Sequence, residues 1–145
     1  MSDYIPASLD WVREQVELYE SSGGTQGTTL LDTGMPCILV IHTGNKTGGI
    51  RKIPLMRVEV DGCYVLIGSM GGQPKNPVWV YNLRANPDVQ IRDKTEVFDM
   101  RVREVSDDKE RAKLWAAANA AYPPYDEYQA KTTRKIPVFI AEPRQ

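Results

Sequence analysis

Two residues, Asp61-Gly62, restrict this chain more than any others. Before them, across residues 50–60, Met56, Val58 and Val60 alternate with Arg57 and Glu59; after them comes the apolar run Cys-Tyr-Val-Leu-Ile at 63–67. Asp-Gly between two strand-like runs signals a two-residue hairpin turn, which joins only antiparallel neighbours. Similar pieces surround it. Residues 36–42 are continuously apolar and lead into a Gly-rich turn at 43–49. Residues 88–92 and 96–105 flank a turn at Asp93-Lys94-Thr95, and Phe98, Met100 and Val102 alternate with Asp99, Arg101 and Arg103, so one face is wet. Residues 136–141 form a last short strand. Five to seven short strands in a chain of 145 residues predict an antiparallel sheet that curls into a small barrel. The class is mostly β with helices (α+β); an open α+β sandwich is the alternative.

The helical segments fall between these strands. Leu9, Val12, Val16 and Tyr19 recur at helical spacing within residues 8–22, with Ser8 as a capping residue and Gly23-Gly24 as the stop. This helix packs on the body or acts as a movable lid. Residues 27–35 read as loop, with a short edge strand possible at 28–31. Asn76 is placed to cap a helix over 78–85, Pro77 suits its first position, and Asn86-Pro87 ends it. Asp107 and Glu110 form a capping box for a helix to about Ala121, and Pro123-Pro124 breaks it. One or two further helical turns fit at 125–132. There is no repeat and no linker, so residues 1–145 read as a single domain, with the barrel core at about 36–143.

Charge is distributed unevenly. Residues 1–42 carry one base and six acids, residues 43–94 eight bases and four acids, and residues 95–145 nine of each. The cationic middle contains Lys46, Arg51, Lys52 and Arg57 with no acid among them, and points to a small anionic ligand. A glycine loop at residues 69–77 then ends at a helix start, with Lys75 beside it. Gly71 and Gly72 permit a tight turn, and free N–H groups at a helix start receive anions. The turn at 43–49 is not a P-loop, because its glycine spacing is wrong, and there is no dinucleotide fingerprint.

Other classes are excluded or weakened. Cys37 and Cys63 lie in strand-like runs with no zinc spacing, as buried thiols of a reducing cytoplasm would. His42 is the only histidine, which excludes a His-rich metal site, and it would have to serve any Ser-His-Asp triad. No apolar run approaches the length of a membrane span, so stable membrane insertion is not expected. A net charge of −1 speaks against nucleic acid, although the basic strand alone would suit a single strand. The remaining feature is aromatic: Tyr122, Tyr125 and Tyr128 lie within seven residues. Their rings suit a flat ligand and their hydroxyls can donate a proton. With no carboxylate pair or activated nucleophile in view, an enzyme of this kind borrows reactivity from a cofactor with an anionic tail and a flat ring.

These residues also occur in a familiar order: Thr43-Gly44-Asn45-Lys46-Thr47-Gly48, Arg51 with Pro54-Leu55, Ser69 with Gly71-Gly72, then Asn76-Pro77, Trp79, Asn82-Leu83 and Ala85-Asn86-Pro87, then Tyr122-Pro123, Tyr125 and Tyr128, and Ile136-Pro137. In that order and spacing the chain resembles the deazaflavin-dependent nitroreductase family, which uses coenzyme F-420. The resemblance implies a flavin/deazaflavin-reductase-like split β-barrel. It implies a cofactor tail along Lys46, Arg51 and Lys52, and a ring against Ser69, Met70, Gly71 and Gly72, with Lys75, Asn76 and Trp79 beside it. Tyr122, Tyr125 and Tyr128 would border the substrate pocket. Asn45 departs from the arginine common in the family's turn, and Met70 from the nitroreductase's lysine. The implied activity is hydride transfer from reduced F-420 to an electron-poor small molecule: a quinone, an activated enone or lactone, or a nitroaromatic. Tyr125 or Tyr128 would supply the proton, with Ser69 assisting. An FMN-dependent barrel and a non-catalytic deazaflavin carrier are the alternatives, as monomer or homodimer.

Overall fold

The computed structural model describes residues 4–7, 9–30, 34–69 and 72–144. Seven strands, β1 (Cys37–Thr43), β2 (Ile50–Met56), β3 (Glu59–Val60), β4 (Cys63–Ile67), β5 (Asp88–Asp93), β6 (Glu96–Glu104) and β7 (Val138–Pro143), form one sheet. Its order is β2-β1-β5-β6-β7-β4-β3, and every pairing between strands is antiparallel. Four helices accompany it: α1 (Asp10–Ser21), α2 (Val78–Ala85), α3 (Asp108–Ala121) and α4 (Pro124–Lys131).

The order explains the curl. β2 and β3 are opposite edges of the sheet, yet only Arg57 and Val58 separate them in the chain. The single strand expected over 50–60 is therefore two. Met56 still pairs with Cys37 of β1, whereas the Val65 N–H of β4 already donates to Val58 O (2.8 Å). At the corner, Arg57 N–H donates to Pro36 O (3.0 Å), and Arg57 Nε donates to Asp93 (2.8 Å). The chain thus passes from one edge of the curled sheet to the other.

The apolar runs follow from burial on both faces. In β1, Ile38 and Val40 join the main core, while Cys37 and Leu39 pack against Val12, Val16 and Tyr19 of α1. In β4 and β7, Tyr64, Leu66, Phe139 and Ala141 enter the main core, while Val65, Ile67, Val138 and Ile140 face Leu114 and Ala118 of α3 and Tyr125 of α4. A strand covered on both sides has no polar face to show. In β6, Met100 and Val102 are buried and Asp99, Arg101 and Arg103 are exposed, as the alternation predicts. Trp79, Val80 and Leu83 of α2 complete the main core.

α1 starts at Asp10 with Leu9 as an N-cap that makes no side-chain bond, and Ser8 lies outside the described residues. Its C-terminal end is fixed. Tyr19 Oη donates to Arg92 O (3.1 Å) and Glu20 holds Lys52 (2.7 Å) and Arg92. A Cβ on Gly24, which has φ +83°, would fall 1.8 Å from Lys94 O, so only glycine lets the chain pass here. α1 is packed on the sheet through Val12, Val16 and Tyr19. α2 keeps its expected bounds, but its N-cap is Pro77 and not Asn76. Asp107 caps α3 as expected, accepting from Glu110 N–H (2.8 Å). Residues 27–30 and 34–35 are loop with one isolated bridge, Thr29 to Pro36. Cys37 and Cys63 are free.

Candidate functional site

A cleft of about 580 Å³ opens between the β1–β2 hairpin, α2, α4 and the N-terminal segment. That is the usual size of a cofactor pocket. Its walls are largely apolar: Ile53 and Leu55 from β2, Val78 and Trp79 from α2, Leu9 and Trp11 from the N-terminal side.

One end is basic. Arg51 pairs in register with His42, and both line the cleft. The 43–49 turn beside them is closed by Gly44 N–H on Gly49 O (2.8 Å) and anchored by Asn45 N–H on Asn82 Oδ1 (2.9 Å). Arg51 Nε is buried and has no hydrogen-bond partner among the described residues. Lys46 stands exposed on the turn and is not part of the cleft lining. The rest of the basic stretch is engaged elsewhere: Lys52 Nζ is on Glu20 and over the ring of Tyr4, and Arg57 is on Asp93. Lys52 touches the cleft wall, but its charge is taken up by α1. The basic run is therefore not one continuous groove; strand alternation sends successive bases to different partners.

The loop wall runs from Ser69 to α2. Ser69 is buried and lines the cleft. Met70 and Gly71 lie outside the described residues. Gly72 has φ +79°, and a Cβ there would come within 2.8 Å of Tyr128 O, so the loop backbone lies directly on α4. Trp79 is 4% exposed and packs on Phe139 (5.8 Å between centroids), so it is chiefly core although it also lines the cleft. Lys75 is exposed and is not part of the cleft lining. Asn76 turns its Oδ1 to Arg134 (2.8 Å) instead of capping α2.

The third wall is aromatic. Tyr122 and Tyr128 share a hydroxyl–hydroxyl hydrogen bond of 3.0 Å, and Tyr125 stacks edge-on against both, with centroids 5.0 and 6.3 Å away. All three line the cleft. The bond from Tyr122, followed by burial, pushes Tyr128 up to about 12. Burial raises Tyr125 as well. Both hydroxyls hold their protons at neutral pH and can donate them. The wall is fixed from behind: Asp126 accepts from Trp115 Nε1 (2.6 Å) and Asn119 Nδ2 (2.8 Å), and its N–H donates to Asn119 Oδ1 (3.1 Å).

Sequence reasoning missed His42, Asn82 and Arg134. A histidine ending an apolar run reads as core, Asn82 enters only as part of the family pattern with no role attached, and nothing local marks Arg134. His42 is 4% exposed, and its Nδ1–H donates to Val40 O (3.3 Å). Burial first, and then the Arg51 charge, lower its pKa from 6.5 to about 4. The folded protein therefore holds it neutral between pH 4 and 6.5, where the unfolded chain protonates it. Stability falls as pH drops through that window. About 2 kcal/mol should be lost between pH 7 and pH 5. Denaturant unfolding of wild type and His42→Gln at both pH values measures it: the difference between their losses should be of this size.

Among the described residues no three His, Cys, Asp or Glu side chains are placed to hold a metal ion, and no helix is long and apolar enough to cross a membrane. The model of the F420H(2)-dependent quinone reductase family matches residues 11–143. The chain is 34% identical over 126 residues to an F420H(2)-dependent quinone reductase of Mycobacterium tuberculosis, covering 85% of this chain and 83% of that one. A solved F420-H2 dependent reductase is 49% identical, with a TM-score of 0.70, over 74% of this chain and 94% of its own. A solved domain-swapped dimer is 48% identical, with a TM-score of 0.72, over 92% and 98%. This chain belongs to the F420H(2)-dependent quinone reductase family, whose fold is the flavin/deazaflavin-reductase-like split barrel and whose cofactor is coenzyme F-420. The residues present fit such a group: an orphaned, buried guanidinium nitrogen for an anion, and an apolar, tyrosine-walled cleft for a flat ring.

Proposed function

We propose that this protein is a coenzyme F-420-dependent reductase of quinones, with activated enones and nitroaromatics as further electron-poor acceptors. The observation that carries the reading is Arg51 Nε, buried without a partner among the described residues, at the basic end of a cleft whose far wall is three tyrosines. Arg51 and Lys46 hold the anionic tail. Ser69, Gly72 and the start of α2 border the ring. Tyr122, Tyr125 and Tyr128 face the acceptor.

Reduced F-420 supplies a hydride when bound. The chain's part is to orient ring and acceptor, to keep water out with Leu55, Trp11 and Val78, and to deliver one proton from Tyr125 or Tyr128, with Ser69 assisting. Hydride and proton together convert a quinone to its hydroquinone. The 48% identical domain-swapped dimer supports a homodimer over a monomer, and the free cysteines support a cytoplasmic enzyme.

Fluorescence titration against oxidised F-420 and FMN tests the cofactor. F-420 should bind more tightly, because FMN lacks the acidic tail that Lys46 and Arg51 receive. Equal or tighter binding of FMN would replace the reading with an FMN-dependent barrel.

A further inference from the structure

Arg134 lies between α4 and β7 and does not line the cleft. Its half-buried guanidinium turns to residues 68–76 with all three nitrogens. Nη1 donates to Gly68 O (3.0 Å) and Asn76 Oδ1 (2.8 Å), Nη2 to Ser69 O (2.6 Å), and Nε to Gln73 O (2.8 Å). Among the described residues no carboxylate pairs with it, so the side chain is given over to loop acceptors. Ser69 O also accepts Gly72 N–H (2.9 Å), which ties Gly72 to the same acceptor that Arg134 holds. A planar fork reaches acceptors in several directions at once, and an ammonium does not reproduce that geometry.

The clamp is joined to the tyrosine helix. Gln129 of α4 donates Nε2 to Arg134 O (2.8 Å) and accepts Ile136 N–H at Oε1 (3.0 Å). On the other side, Gly72 rests on the Tyr128 backbone. We propose that Arg134 is a positioning residue that locks residues 68–69 and 72–76 to α4, so that the wall bordering the ring and the wall bordering the acceptor keep a fixed separation. The proposal rests on the reading of the cleft as a deazaflavin site.

Three readouts on the full chain test it. The first is hydrogen exchange at the Gly72 amide without cofactor. The second is fluorescence binding of F-420 and of its ring-and-ribityl fragment, which lacks the phosphate and acidic tail. The third is kcat and KM for a quinone at saturating cofactor. Arg134→Lys should speed Gly72 exchange roughly tenfold or more, as loss of charged hydrogen bonds predicts, while β1 amides keep their rates. It should weaken the cofactor and the fragment by the same factor, and lower kcat more than it raises KM. Arg51→Ala should weaken the whole cofactor and spare the fragment. Methylguanidinium added to Arg134→Ala should restore part of the fragment's affinity.

Unchanged Gly72 exchange and unchanged fragment affinity in Arg134→Lys, with only a lower Tm, would overturn the lock and leave the cofactor reading standing. Faster Gly72 exchange in a protein whose wild type binds no F-420 would support the lock and refute that reading.

Discussion

Arg51→Ala should weaken binding of oxidised F-420 by about 30- to 100-fold, the scale of one charged hydrogen-bonding group lost from a partly desolvated site. The same change should leave the protein without cofactor as stable as before, or more so. Arg51 Nε is buried with no partner among the described residues, which costs stability until an anion arrives. Removing it relieves that cost. Lower affinity at equal or higher Tm is the mark of a side chain placed for a ligand. Lys52 supplies the contrast, although it is the next residue on the strand. Its ammonium is held by Glu20 at 2.7 Å, so Lys52→Ala should lower the Tm and leave F-420 affinity near the wild-type value. Isothermal titration paired with thermal melts of the two variants separates these patterns.

Replacing Tyr122, Tyr125 and Tyr128 together by phenylalanine should lower turnover of a quinone by about 100-fold or more, the lower end of what a positioned proton donor contributes. Cofactor affinity should stay close to wild type, because the rings and their edge-on packing remain. The pH profile carries a second signature. Tyr128 is pushed up to about 12, and it and Tyr125 stay protonated throughout pH 6 to 9, so wild-type turnover should show no basic limb from them in that range. The costs should not add: Tyr122 and Tyr128 share one hydrogen bond, so replacing both should cost less than the sum of the two single substitutions. Wild-type turnover in the triple variant would remove the cluster from proton delivery.

The elements set by near neighbours were legible in the residues. α2 begins and ends where Asn86-Pro87 and the apolar spacing place it, and Asp107 caps α3 through Glu110 N–H. The Asp61-Gly62 turn joins β3 to β4, with Val60 opposite Cys63. The apolar runs at β1 and β4 are as long as they are because each strand is covered on both faces. What escaped was set at long range. The break at Arg57 and Val58 is where the chain passes from one edge strand of the curled sheet to the other, and nothing within residues 50–60 records where the other edge will be. Lys52 and Glu20 are 32 residues apart, so the neutralisation of one base in the basic run was invisible. Asn76 carries every local property of a cap, and Arg134, 58 residues further on, claims its side chain. Arg51, Ser69 and the three tyrosines line one cleft, and the long-range packing that gathers them there leaves no mark on the residues themselves.

Single-turnover oxidation of reduced F-420, mixed with the wild-type protein and a soluble quinone and followed by the return of the oxidised cofactor's absorbance, tests the central claim most directly. The expected result is rapid oxidation that needs both protein and quinone, yields one hydroquinone per cofactor, and slows about 100-fold or more in the triple phenylalanine variant. Tight binding of the reduced cofactor with no oxidation above the protein-free rate would contradict it and leave a carrier in its place.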